Sequence, residues 1–205
     1  STPVYTDYRA EQYQSGTTSG IGMVDAQWDN LGTSMSDSGS GTVTKSGSNS
    51  WSSVADTSQT YTVGTPFSVE ASATSSHWVF GILRENDHTA FGTGNGGQFQ
   101  IHPTWSNTFD VYDYSGSSSQ TWTFSGWSSG DVFKIEVDAS GNPTFYQNGN
   151  QLTTAGIGQA TGTYVGGVGL YTNGVATMDV TGSVQVPVYS WRNFGDLQED
   201  VVGQQ

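Results

Sequence analysis

The strongest constraint on this chain is a period-two alternation of apolar and polar residues, which recurs from about residue 67 onward. In the longest run, 176–188, the even positions hold Ala, Met, Val or Gly and the odd positions hold Thr, Asp, Ser, Gln or Pro. A shorter run, 133–137, alternates Phe, Ile and Val with Lys and Glu. Successive side chains of a β-strand point to opposite faces, so these runs predict strands with one buried face.

The segments between these runs carry turn chemistry. Asn148 and Gly149 form the strongest hairpin signal, because both residue types tolerate a positive φ. Residues 77–83 are almost continuously apolar, which predicts a central strand covered on both faces. The only helix-like stretch, 6–14, is short. Many strands joined by Gly, Asn and Ser turns predict an all-β, two-sheet antiparallel sandwich.

Charge and cysteine content exclude several classes of function. The chain has 18 Asp and Glu against 5 Lys and Arg, a formal net charge of −13, and no Cys. The basic residues are scattered, so no stripe can neutralise phosphates, and we expect no nucleic-acid partner. No apolar run approaches the roughly 20 residues that span a bilayer, so no membrane insertion is expected. Without cysteine there is no disulfide framework and no thiol nucleophile.

The two ends differ from the repetitive middle. We predict an N-terminal arm at 1–20, a sandwich at 21–188 and a C-terminal arm at 189–205. The arms are rich in aromatic residues: Tyr5, Tyr8, Tyr13, Tyr189, Trp191 and Phe194. Disordered tails are poor in such residues, so we expect the arms to pack on the sandwich or on a neighbouring subunit. A surface rich in Ser, Thr, Gly, Asn and Asp is typical of extracellular, cell-surface or virion proteins.

Three segments resemble the second half of concanavalin-like jelly-roll modules. They are a hydrophobic-Lys-Ile-Glu-hydrophobic-Asp strand within 130–138, a Phe-Tyr-x-Asn-Gly hairpin at 145–149, and a Leu-Tyr-x-x-Gly strand within 168–174. Segments 43–51 and 67–82 are similar to the first half of such a module. The resemblance covers about 22–186 and implies a concanavalin-like jelly roll of the non-catalytic binding type. The same architecture also hosts lectins, carbohydrate-binding modules, glycosidases, polysaccharide lyases and viral attachment proteins.

Glycosidase chemistry is not expected. It needs two carboxylates roughly 5–10 Å apart across a cleft. The family's Glu-x-Asp-x-x-Glu strand is absent, and each of the five glutamates is isolated: Glu11, Glu70, Glu85, Glu136 and Glu199.

A polysaccharide lyase of the alginate type is a less favoured alternative. Gln100-Ile-His102 resembles the Gln-Ile-His strand of such enzymes, and Tyr171 lies in a segment similar to their late Tyr strand. The resemblance implies Gln100 as neutraliser, His102 as base and Tyr171 as acid. The Arg-rich motif and the Lys of these enzymes are missing, and the chain has few cations to hold a uronate polymer. We therefore predict that the chain is not an enzyme.

Aromatic residues give the better functional signal. The chain has seven Trp and ten Tyr, and four of the Trp lie among Ser, Gly and Asn: Trp51, Trp105, Trp122 and Trp127. Aromatic rings serve as platforms for sugar faces, and nearby Asp or Asn can bond to hydroxyl groups. The predicted ligand-binding set is Trp105, Asn107, Asp110, Tyr112 and Tyr114.

These residues predict a surface module that binds glycans or a cell-surface receptor, in the manner of an adhesin or receptor-binding protein. The alternative is a structural subunit of a virion, tail fibre or extracellular filament. Such a subunit would join copies of itself, or other subunits, through its arms.

Calcium is the one cofactor that the sequence suggests. Ca²⁺ takes several oxygen ligands from carboxylates and carbonyls. The best donors are Asn86, Asp87, Asp110 and Asp113. The three histidines, His77, His88 and His102, show no spacing typical of zinc ligands.

Overall fold

The computed structural model describes residues 14–84, 91, 97–115 and 119–190. In these ranges the chain forms fifteen β-strands and no helix. The strands are β1 (Gln14–Asp25), β2 (Trp28–Leu31), β3 (Met35–Gly39), β4 (Thr42–Lys45), β5 (Val54–Thr62), β6 (Phe67–Ala73), β7 (Trp78–Arg84) and β8 (Gly97–Pro103). They continue with β9 (Thr108–Asp113), β10 (Gln120–Ser125), β11 (Phe133–Val137), β12 (Pro143–Gln147), β13 (Asn150–Gln151), β14 (Thr163–Leu170) and β15 (Gly174–Ser190).

The strands form two sheets. The eight-stranded sheet has the order β13-β12-β11-β6-β15-β4-β3, with β1 also paired to β15, and the seven-stranded sheet has the order β10-β9-β8-β7-β14-β5-β2. Every pairing whose register is described is antiparallel. The predicted all-β, two-sheet sandwich is therefore confirmed.

The core lies between the sheets and is built by the alternation seen in the sequence. Strands β6 and β11 alternate buried and half-buried residues along their whole length. Strand β7 is buried at every position from Trp78 to Leu83, which confirms a central strand covered on both faces. The largest fully buried side chains are Trp78, Tyr164, Phe80, Phe99, Phe109, Phe133 and Phe145.

Two residues complete the predicted hairpin between β12 and β13. Asn148 has φ 50° and Gly149 has φ 77°. The left-handed region admits Gly readily and Asn with little cost, so this dipeptide reverses the chain in two residues.

The chain divides into two compact units. Residues 22–182 make the larger unit, and the smaller one is made of residues 1–21 and 183–205. Apart from Tyr189, which lies in β15, the aromatic residues of the predicted arms fall outside the described residues, as does most of the helix-like stretch 6–14. The arm boundaries and the packing of the arms remain predictions. Among the described residues there is no helix capable of crossing a bilayer.

Candidate functional site

The candidate site lies on the outer face of the seven-stranded sheet. On β7, β8 and β9, core residues such as Phe80, Ile101 and Val111 occupy one set of alternate positions. The other set points away from the core. We call these positions the outer face: His77, Val79, Gly81, Gln98, Gln100, His102, Asp110, Tyr112 and Tyr114.

Five rings gather where β7 begins, and we call them the aromatic cluster: Trp51, His77, His102, Trp105 and Tyr171. Ring centroids of Trp105 and His77 lie 4.3 Å apart, and those of Trp51 and His77 lie 4.9 Å apart. The Tyr171 ring lies 5.1 Å from Trp51 and 5.5 Å from Trp105. Four stretches of chain distant in sequence thus build one surface.

Backbone hydrogen bonds hold in place the loop between β4 and β5, which contains Trp51. The Ser50 amide donates to the Tyr171 carbonyl over 3.1 Å, and the Tyr171 amide donates to the His77 carbonyl over 3.0 Å. The Leu170 amide donates to the Ser53 carbonyl over 3.0 Å. These bonds join the chain around Trp51 to the end of β14 and the start of β7.

The two tryptophans of the cluster are exposed to solvent. Trp105 keeps 59% of its surface accessible and Trp51 keeps 37%. The Trp105 indole Nε1 donates to Ser76 Oγ over 3.2 Å, which restrains the ring from one edge. The sandwich therefore presents large apolar rings in a fixed position on an otherwise hydrophilic chain.

Two histidines meet at the centre of the cluster. Their Nε2 atoms are 2.9 Å apart and their ring planes differ by 7°. Burial, and next the charge of His77, lower the pKa of His102 to about 4, although Asp110 acts in the opposite sense. Burial also lowers the pKa of His77. At neutral pH both imidazoles are uncharged, and the Nε2–H of one donates a hydrogen bond to the Nε2 of the other.

A carboxylate and two tyrosines extend the surface from His102. The Tyr112 hydroxyl donates to Asp110 Oδ2 over 3.1 Å, and the Thr123 hydroxyl donates to Asp110 Oδ1 over 2.7 Å. Tyr112 stacks on Tyr114 with centroids 5.6 Å apart, and it lies 6.1 Å from His102. Burial and then the Asp110 charge raise the pKa of Tyr112 to about 12, so its phenol stays protonated.

Two buried glutamines lie beside this surface on β8. Gln98 and Gln100 are 0% and 1% exposed, and within the described part of the chain none of their four amide nitrogen and oxygen atoms has a hydrogen-bond partner. Gln100 lies between Gly81 on β7 and Tyr112 on β9. An unbonded buried amide is costly, so these side chains hold unused hydrogen-bonding capacity.

The structure brings together four of the five predicted ligand-binding residues. Trp105, Asp110, Tyr112 and Tyr114 join one surface through the histidine pair. Asn107 lies in the same turn as Trp105, with φ 56°, and its carbonyl accepts from the Gly126 amide over 2.9 Å. No described contact of its side chain connects it with the other four.

Sequence reasoning left four members of the cluster out of the binding set: Trp51, His77, His102 and Tyr171. The sequence marks Trp51 only as a tryptophan among Ser, Gly and Asn, and the Gln-Ile-His and Tyr resemblance placed His102 and Tyr171 in the lyase alternative. The structure does put Gln100 and His102 on one face, as period two requires. Among the described residues, the contacts of the cluster include no lysine or arginine.

Asp110 and Asp113, two of the four predicted calcium donors, do not share a face of the sheet, and calcium binding stays a prediction. The two residues are three apart on β9, so they face opposite sides of the sheet. Asp113 is buried and accepts from the Ser115 amide over 2.7 Å and from the Gly158 amide over 2.6 Å. Asn86 and Asp87 lie outside the described residues. Within the described ranges no three His, Asp or Glu side chains converge as a metal site.

No protein-family model matches the sequence, and no curated protein does. The solved structure of the TRIM65 PSpry domain is similar, with a TM-score of 0.54, 14% identity, and coverage of 75% of this chain and 91% of that one. The SPRY domain of human HERC1 gives 0.48 at 16% identity, covering 67% and 86% of the respective chains. The carbohydrate-binding module CBM66 of Bacillus subtilis gives 0.45 at 11% identity, covering 78% and 91%. The likeness to the TRIM65 domain shows the fold alone, a jelly-roll β-sandwich.

Proposed function

We propose that this chain is a non-catalytic module that binds neutral glycans through the aromatic cluster and the adjoining Asp110, Tyr112 and Tyr114. The observation that carries the proposal is the cluster itself, which presents exposed indole rings held by neighbouring residues. Exposed apolar surface of this kind on a hydrophilic chain marks an interaction site.

The surface offers the two kinds of contact that a sugar ring needs. Trp51 and Trp105 supply flat apolar rings for the C–H face of a sugar. Asp110 and the hydroxyl oxygen of Tyr112 supply acceptors for sugar hydroxyls. Because Ser76 already restrains the Trp105 ring, the ring loses less conformational entropy when a ligand binds.

The charge of the site favours a neutral ligand. Both imidazoles are uncharged at neutral pH, and Asp110 is the carboxylate that faces the ligand surface. The whole chain carries a formal charge of −13. A uronate or sulfated polymer would therefore meet repulsion, whereas a neutral glycan would not.

The same geometry argues against glycoside hydrolysis. Hydrolysis needs a second carboxylate roughly 5–10 Å from the first. Asp110 is engaged by Tyr112 and Thr123, and no described carboxylate shares its surface.

A binding module of this type would act at a cell surface, outside the cell or on a virion. The filament-subunit alternative depends on the arms, which lie mainly outside the described residues.

The experiment is affinity electrophoresis and calorimetry with neutral polysaccharides, such as a β-glucan and a galactomannan, and with alginate as the acidic counterpart. Trp105→Ala and Trp51→Ala should each weaken binding of a neutral glycan at least tenfold, as for a central aromatic contact. Tyr146→Ala is the matched control, because Tyr146 lies on β12 of the other sheet, where its hydroxyl donates to Glu136 over 2.8 Å. The control should bind as the unmodified protein does.

If Trp105→Ala and Trp51→Ala bind every glycan with the same affinity as the unmodified protein, the proposal is refuted. Release of an ultraviolet-absorbing unsaturated product from alginate, abolished in His102→Ala, would replace it with the lyase alternative.

A further inference from the structure

The histidine pair is a candidate ligand set in its own right. His77 immediately precedes β7 and His102 lies in β8, the neighbouring antiparallel strand. Their side chains share the outer face, and their Nε2 atoms lie 2.9 Å apart. Imidazole nitrogen is a common protein ligand for copper, nickel and zinc.

The separation of the two nitrogens favours one coordination geometry. Two nitrogens bound at about 2.0 Å from one ion and at right angles lie about 2.8 Å apart, whereas a tetrahedral ion holds them about 3.3 Å apart. The observed 2.9 Å is close to the right-angle value. Square-planar or tetragonal sites with nitrogen and oxygen ligands are typical of Cu²⁺ and Ni²⁺.

The surroundings fix the imidazoles and favour a cation. Trp51 packs edge-on against both histidine rings, with centroids 4.9 Å from His77 and 5.3 Å from His102. Asp110 is the cross-strand partner of His102 and lies on the same face. Its carboxylate, and the acidic chain as a whole, attract a divalent ion.

We propose that His77 and His102 bind one Cu²⁺ or Ni²⁺ ion through their Nε2 atoms, with the remaining coordination positions occupied by water. The ion replaces the hydrogen bond between the two rings. Divalent copper binds more tightly than nickel, and both bind more tightly than manganese, as the general affinity order requires. This site goes beyond glycan binding and does not depend on it.

The test is titration of the chelator-treated protein with CuSO₄, NiCl₂ or MnCl₂, followed by tryptophan fluorescence and by calorimetry. Bound Cu²⁺ should quench Trp51 and Trp105, whose rings lie within about 5 Å of the pair. The expected stoichiometry is one ion per chain. His77→Gln and His102→Gln should each weaken Cu²⁺ binding at least tenfold, and Tyr146→Ala on the other sheet should leave it unchanged.

Electron spin-echo spectroscopy of the Cu²⁺-loaded, unmodified protein supplies a measurement that needs no variant. It should count two coordinating imidazoles. Unchanged Cu²⁺ affinity in both glutamine variants, with far-ultraviolet spectra matching the unmodified protein, would overturn the proposal. A count of zero or one imidazole would overturn it as well. Glycan binding is measured in chelator and metal binding without glycan, so either proposal can fail alone.

Discussion

Replacing Gln100 by Met should raise the stability of the protein. Gln100 is 1% exposed, and both polar atoms of its amide lack a hydrogen-bond partner among the described residues. A buried polar group without a hydrogen bond costs about 1–3 kcal/mol. Met has nearly the same length and a similar loss of side-chain entropy on burial. The substitution therefore removes the cost of the amide while keeping the packing.

We expect a gain of about 2 kcal/mol in the free energy of unfolding, which for a chain of this size raises the melting temperature by about 4–8 °C. Urea unfolding at 25 °C measures the free energy of unfolding, and a thermal scan without ligand measures the melting temperature. The control is Gln151→Met in the exposed strand β13, which should change stability by less than about 0.5 kcal/mol. A loss of stability in Gln100→Met would refute the reasoning, because it would show that the amide is hydrogen-bonded in solution.

Three further predictions concern the sandwich. Gly81→Ala should lower the free energy of unfolding by about 3 kcal/mol, because the added Cβ would clash with the Phe99 carbonyl oxygen. Gly149→Ala, with φ 77° and open space around it, should cost only about 1 kcal/mol, and equal melting temperatures of the two variants would contradict this. Asp113→Asn should lower the free energy of unfolding, measured with urea, by about 3 kcal/mol, because the buried carboxylate accepts hydrogen bonds from two backbone amides. A change below about 1 kcal/mol would contradict this role of the carboxylate. The hydrogen bond from Lys134 holds the pKa of Glu136 below its usual range, so its stabilising effect is present above about pH 4.5 and is lost as pH falls through the lower folded value. The urea midpoint of Glu136→Gln should therefore move toward that of the unmodified protein as pH falls below about 4.5, and a pH-independent difference would refute this.

Most of the fold could be predicted from local sequence pattern. The alternation at 133–137 became β11, the long run at 176–188 lies within β15, and the apolar run at 77–83 became the buried strand β7. These predictions succeeded because period two reports the two faces of a strand directly. Trp78, which lies in that apolar run, is fully buried.

The site was only partly predictable, because its residues meet through long-range strand pairing. Asp110 and Tyr112 were predicted because Asp and Asn flank aromatic rings in this segment, and the two side chains share a face because they lie two positions apart on β9. His77 and His102 are 25 residues apart, and nothing local reveals that β7 and β8 bring their Nε2 atoms together. Trp51 reaches the cluster from a turn, where no periodicity applies. Asp110 and Asp113, both predicted as calcium donors, are three positions apart on β9 and therefore face opposite sides of the sheet.

Along strand β8, residues that point into the core alternate with residues that point to the outer face. Phe99 and Ile101 fill the core, and Gln98, Gln100 and His102 form the outer face. A slip of one residue in its pairing would exchange the two sets completely. The core and the outer face therefore both require the same register of β8, and a chain that loses this register loses both. Any ligand of this face should accordingly stabilise the whole sandwich against unfolding, by an amount fixed by its concentration relative to its dissociation constant.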